Sequence, residues 1–158
     1  PNRHWAAEIS YGHLKSPEAR EAFVDEERYI ASVSYASRHG LNVTGGIAVR
    51  RKLPGRSSTA LFAEANYEFA PHEAVFGRIE SVDNDELFNA TPLDPHFGIP
   101  YRVTKFSLGY GYTVPIKGEL AATFGGVVSA YAKPDALDSA YGKFPVSGTF
   151  FVKFCLGS

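Results

Sequence analysis

The chain has 158 residues, the length of one domain, and its formal charge of −1 leaves no basic field with which to hold nucleic acid. Only 21% of residues are charged, 14% are aromatic and 15 are glycine, a mixture that excludes disorder and suits strands joined by many turns. Mean hydropathy is −0.16 and no apolar run approaches the ~20 residues of a membrane helix, yet a barrel strand shows lipid only every second residue and escapes such averaging.

The first predicted strand, His4 to Leu14, puts Trp5, Ala7, Ile9 and Tyr11 on one face and Glu8, Ser10 and Gly12 on the other. A connection from Lys15 to Glu27 follows, either a solvated loop or one with a short helix over Ala19 to Val24. Strand two, Arg28 to Ala36, sets Tyr29, Ala31, Val33 and Tyr35 against Arg28, Ser32 and Ser34. Strand three, Leu41 to Arg50, sets Leu41, Val43, Ile47 and Val49 against Asn42, Thr44 and Arg50. Strand four, Thr59 to Phe69, sets Leu61, Ala63, Ala65, Tyr67 and Phe69 against Phe62, Glu64, Asn66 and Glu68. Such a run of Glu and Asn cannot lie against lipid.

Strand five, Ala74 to Val82, is the least regular, with Val75, Gly77 and Ile79 against Arg78 and Glu80. Strand six, Arg102 to Val114, is the clearest, with Phe106, Leu108, Tyr110, Tyr112 and Val114 against Lys105, Ser107, Gly109, Gly111 and Thr113. Strand seven, Glu119 to Tyr131, and strand eight, Val146 to Leu156, alternate in the same way, and helical periodicity is absent.

The spacing of these strands is uneven. Long connections (Lys15 to Glu27, Arg50 to Ser58, Asp83 to Pro100, Lys133 to Pro145) fall at one end of the hairpins, and short turns (Ser37 to Gly40, Ala70 to Glu73, Pro115 to Gly118) at the other. Outer-membrane barrels have this asymmetry, with short periplasmic turns and longer external loops. A soluble or periplasmic eight-stranded barrel that binds a small apolar ligand would alternate too, with its apolar face inward. Two features favour the membrane. The polar face is rich in Gly, Ser, Thr and Asn with isolated charges, where a soluble barrel's exterior carries denser Lys and Glu. The aromatics gather at two levels: Trp5, Tyr35, Tyr67, Phe69, Tyr112 and Phe154 near short turns or chain ends, Tyr11 and Tyr29 beside the first long loop. The expected fold is all-β, eight antiparallel up-and-down strands forming a transmembrane barrel or the C-terminal sector of a larger one.

The segments YGHLKSPE (Tyr11 to Glu18), AVFGRIESVDNDELF (Ala74 to Phe88), KFSLGYGY (Lys105 to Tyr112) and ALDSAYG (Ala136 to Gly142) resemble the C-terminal half of an uncharacterised family of Gram-negative, porin-like outer-membrane barrels. The resemblance spans nearly the whole chain and implies a location in the bacterial outer membrane, with lipid as partner, but those motifs carry no assigned chemistry. It also implies a closing aromatic in the last strand, whereas Phe154 is followed by Cys155, Leu156, Gly157 and Ser158. The chain opens at Pro1 without methionine or signal peptide; since an exported protein needs a targeting segment, the expectation is of one barrel domain that is a piece of a longer chain.

On a polar face turned to a lumen, Glu8, Arg50, Glu64, Glu68, Arg78, Glu80, Lys105 and Lys153 would project inward, either as a mutually paired plug or as a lining that biases passage of small solutes or ions. Strands four to six allow cross-strand pairing of Glu64, Glu68, Arg78, Glu80 and Lys105. Other chemistry has weaker support. The single cysteine, Cys155, permits no internal disulfide. Asp83, Asp85 and Glu86 could offer oxygens to a divalent cation but lack the spacing of a calcium loop. His4, His13, His39, His72 and His96 are scattered, without metal-ligand spacing. A hydrolase set of His13 with Ser10 or Ser16 and Glu18 has no distinguishing spacing and no nucleophile elbow. The expectation is a porin-like passive channel or structural barrel, with neither cofactor nor catalysis.

Overall fold

The computed structural model describes residues 3–17, 23–85, 87 and 99–156. Its eight strands are β1 (Trp5–Leu14), β2 (Asp25–Ala36), β3 (Leu41–Leu53), β4 (Ser57–Ala70), β5 (Glu73–Asn84), β6 (Tyr101–Lys117), β7 (Leu120–Ala132) and β8 (Val146–Leu156). They form one sheet in the order β1 to β8, each strand antiparallel to the next, which is the up-and-down arrangement expected from the alternation.

Register explains why the sheet has two unlike faces. One row across the strands reads Trp5, Tyr35, Val43, Ala65, Gly77, Leu108, Val128 and Gly148; the adjacent row reads Ala6, Ser34, Thr44, Glu64, Arg78, Ser107, Ser129 and Ser147. A slip of one residue in any strand would exchange the two sets, so the pattern itself pins the register.

The sheet curls toward its polar face. The rings of Phe76 on β5 and Phe151 on β8 lie 6.1 Å apart, although three strand spacings on a flat sheet would separate them by about 14 Å. Asn42 of β3 and Val127 of β7 also line one common cavity. The convex face is therefore the apolar one, with Leu108 69% and Phe150 94% exposed, while Ser129 on the concave side is 5% exposed. That arrangement is the inverse of an apolar-cored soluble barrel.

The sheet is not closed: β1 pairs with β2 and β8 with β7, and the two edges do not meet. The strands also run further than the apolar alternation implies. β2 begins at Asp25 and β3 continues to Leu53, which leaves only residues 54–56 between β3 and β4 in place of the long second connection expected. The charged residues Asp25 to Glu27, Arg51 and Lys52 read as loop, but in the sheet Glu26 faces Lys52 and Glu27 faces Arg51. β6 passes through Pro115 to Lys117, so the last short turn is residues 118–119; proline lacks a donor, and the ladder shifts register between Pro115 and Lys117. A 3₁₀ turn (Asp135–Leu137) and a four-residue helix, α1 (Asp138–Tyr141), stand before β8, too short for a periodic signal. The predicted helix at Ala19 to Val24 lies largely outside the described residues.

Three phenylalanines break the polar pattern of the concave face, and each covers a glycine of the adjacent strand: Phe62 over Gly46, Phe76 over Gly109, Phe151 over Gly125. A Cβ at Gly46 would sit 2.6 Å from the Phe62 ring, and one at Gly109 would meet both the Phe76 ring and, at 2.9 Å, the Gly126 carbonyl oxygen. Gly109→Val should accordingly destabilise the protein by about 1 to 3 kcal/mol through overpacking. Urea unfolding of that variant should show a lowered midpoint, partly restored when Phe76→Ala is added; an unchanged midpoint would show that the ring is not held against the strand.

Candidate functional site: the concave wall and its apolar belt

Along the concave wall the polar side chains form three levels. At the level of the long connections, the strand extensions bring Glu26 and Arg28 of β2 beside Arg50 and Lys52 of β3. Arg28 donates to Glu26 Oε2 through Nε at 3.0 Å and Nη2 at 2.7 Å, and Arg50 Nη1 lies 3.7 Å from Glu26 Oε1. Arg50 Nη2 and Lys52 Nζ reach Asp85 at 2.5 and 3.1 Å. Burial pushes the Asp85 carboxyl up, but the bonds from Lys52 and Arg50 outweigh it and hold the group below its ordinary range. Glu26 is almost fully buried, so this network is an obligatory one: a buried carboxylate persists only with partners. The sequence reading missed Glu26 because it sat in a presumed loop.

At mid-height Arg78 bridges Glu64 (Nη1 to Oε2, 2.7 Å) and Glu80 (Nε to Oε2, 2.8 Å), with its guanidinium 4.9 Å from the centre of the Phe62 ring. Cross-strand pairing thus occurs between Glu64 of β4 and Arg78 of β5, while Glu80 meets Arg78 from two residues along the same strand. Lys105 does not join it, although it stands opposite Glu80 in register; its ammonium lies 5.7 Å from the Tyr131 ring centre. Hydroxyl pairs line the rest of the wall: Ser34 with Thr44 (3.0 Å) and Ser107 with Ser129 (2.8 Å) in the same row as Glu64 and Arg78, and Thr113 with Thr123 (2.8 Å) nearer the short turns. Glu8, Glu68 and Lys153 belong to the same face by register but stand apart, exposed and without an ion pair among the described residues.

The aromatics of alternate strand positions stand on the convex face. Trp5 and Tyr35 touch at 4.8 Å between ring centres, Tyr11 and Tyr29 at 5.1 Å, and Tyr67 and Phe69 at 6.5 Å, while Tyr112 and Phe154 stand exposed nearby. Tyr110, not expected at this level, meets Phe69 at 6.5 Å and donates from its hydroxyl to Glu73 at 2.7 Å. Charge returns to the convex side just beyond the upper level, at Glu27 with Arg51 (3.7 Å) and Asp83 with Arg102 (2.6 Å). On β6 the uncharged, apolar outward positions run from Phe106 to Val114, close to the ~9–11 residues of a tilted transmembrane strand.

The weaker candidates separate. Asp83 pairs with Arg102 on the convex side and also accepts from the Thr59 backbone N–H at 3.0 Å, whereas Asp85 binds the concave-side cations; the two carboxylates do not converge, and Glu86 lies outside the described residues. Ser10 and His13 have opposite parity on β1 and so lie on opposite faces. His13 stands 3.7 Å from Asp25, which accepts the Ser16 N–H at 3.1 Å, and Glu18 is outside the described residues. His4 meets the Ala36 carbonyl at 2.7 Å, and His96 is not described.

A solved structure described as a bacterial polysaccharide outer membrane secretin is similar in fold, with a TM-score of 0.64 at 13% identity, covering 98% of this chain and 53% of that one. This chain therefore spans about half the length of that structure. No protein-family model matches the sequence, and no curated protein matches it either, so the resemblance to a porin-like family has no family match behind it.

Proposed function

We propose that this chain is a sector of a bacterial outer-membrane β-barrel whose concave wall lines a passive, porin-like conduit, with no cofactor and no covalent chemistry. The observation that carries the reading is the inverted sheet: a curl whose outside is apolar and belted by aromatics and whose inside, behind that belt, holds the Glu64, Arg78 and Glu80 cluster. Water-soluble barrels bury the apolar face, while lipid demands it outside. The fold shared with an outer-membrane secretin supports the same location.

Lipid also forbids open sheet edges, because unpaired backbone groups find no water there. The reading therefore includes further strands paired with β1 and β8, giving a bore wider than eight strands alone would enclose. Wall charges then bias passage more than they plug it. Single cysteines at Leu108 and Ser107 test the orientation in the membrane-inserted protein: a lipid-phase reagent should label the first and a water-soluble reagent the second. Equal labelling would remove the membrane reading. In planar bilayers, Arg78→Glu turns a cluster of one cation and two carboxylates into three carboxylates, and should move ion selectivity toward cations. Unaltered selectivity in a conducting channel would place Arg78 off the ion path.

A further inference from the structure

The connection from β7 to β8 folds back over the concave side and roofs a cavity of about 540 Å³. Leu137, from the 3₁₀ turn, is fully buried and lines this cavity together with Val82 and Val103, concave-side residues of β5 and β6. The fold-back is tied at both ends: Lys133 binds Asp138 at 2.5 Å, and the Tyr141 hydroxyl donates to the Leu87 carbonyl at 2.7 Å.

Above the apolar floor the lining is of another kind. Tyr131 and Tyr141 supply two phenol rings, the first fixed by a 3.2 Å hydroxyl contact with Ser147. The charged groups are Glu80, Lys133 and Lys105. Two of the three are already satisfied, Glu80 by Arg78 and Lys133 by Asp138. Lys105 is not: half-buried, it faces the Tyr131 ring and pairs with no carboxylate among the described residues. A partly desolvated ammonium in such a place favours an anionic partner.

We propose that this cavity is a binding subsite for an acidic sugar unit, a pyranose bearing a carboxylate, on the path through the barrel. A pyranose has an apolar face of C–H groups and a rim of hydroxyls, which suits a few polar groups set around aromatic side chains. The Tyr131 and Tyr141 rings take the C–H face, Lys105 takes the carboxylate by a charge-assisted bond, and Asn84 and Glu80 at the wall face the hydroxyl rim. The proposal rests on the conduit reading and gives it a substrate class. The fold neighbour, by its description a polysaccharide secretin, favours a glycan over a small inorganic anion.

The test uses the full-length protein in detergent micelles, titrated calorimetrically with a galacturonic acid trimer and, separately, with neutral maltotriose. The acidic trimer should bind at least tenfold more tightly, and raised salt should weaken it. Lys105→Gln should lower its affinity tenfold or more, and Tyr141→Ala, in the exposed fold-back, should weaken it as well. Equal binding of the two trimers, indifference to Lys105→Gln, or no binding by protein whose strand content is intact by circular dichroism would each overturn the subsite. Sugar-free conductance in planar bilayers separates the two ideas. Binding without conductance would remove the conduit and leave the subsite, and conductance without binding would do the reverse.

Discussion

Replacing Leu108 by Arg should destabilise the membrane-inserted protein by about 2 to 4 kcal/mol, the penalty for a guanidinium near the bilayer midplane. Leu108 lies centrally on β6, opposite Val128 of β7 and Gly77 of β5, and is 69% exposed on the convex face. Nothing on that face at its level could pair with the new charge. Val128→Arg should behave alike, while Thr149→Arg, on the concave side of β8, should change stability by no more than about 0.5 kcal/mol. Reversible denaturant unfolding from lipid vesicles measures all three. Equal penalties on the two faces would mean that the convex surface is not the one against lipid.

The second large effect is expected where the strands project past the belt. Arg28→Met removes both hydrogen bonds to Oε2 of a carboxylate that has almost no contact with water, and leaves the longer ion pair with Arg50 at 3.7 Å. Breaking a buried pair is worth about 3 to 5 kcal/mol. Because Arg28 itself is half-exposed, about 2 to 3 kcal/mol is expected after solvent screening. The double variant Arg28→Met with Glu26→Leu should regain most of this, since no orphaned charge then remains. A double-mutant cycle in thermal or denaturant unfolding reads the coupling directly, and additive losses would show that the two side chains do not depend on one another.

Strand order and facing were legible because they depend on period two alone. Phe106 to Val114 could be read as a membrane-facing strand from five alternate residues, and the structure keeps that register. Strand ends were not legible. Glu26, Glu27, Arg51 and Lys52 look like loop residues in isolation, yet Glu26 stands opposite Lys52 and Glu27 opposite Arg51 in the ladder of β2 with β3, where facing opposite charges favour the pairing. The wall residues were legible as a face but not as a network: parity places Glu64, Arg78, Glu80 and Lys105 together, yet only side-chain reach decides that Arg78 takes both glutamates and Lys105 takes neither. The fold-back at Asp135 to Tyr141 was invisible as well, since its anchor is a single leucine seated on residues about 35 and 55 positions earlier.

That anchoring has a consequence for the order in which the molecule assembles. Every strand pairing joins neighbours in sequence, so each closes a loop of modest length at little entropic penalty, and the sheet can grow by zipping one hairpin onto the last. The bond from Tyr141 to Leu87, 54 residues apart, is of the other kind. It has nowhere to form until β5, β6 and β7 are already side by side. The roof over the wall is thus the last part to seat during folding and the first to lift in partial opening. Amides around Leu137 should exchange with solvent deuterium well before those at the centre of β6.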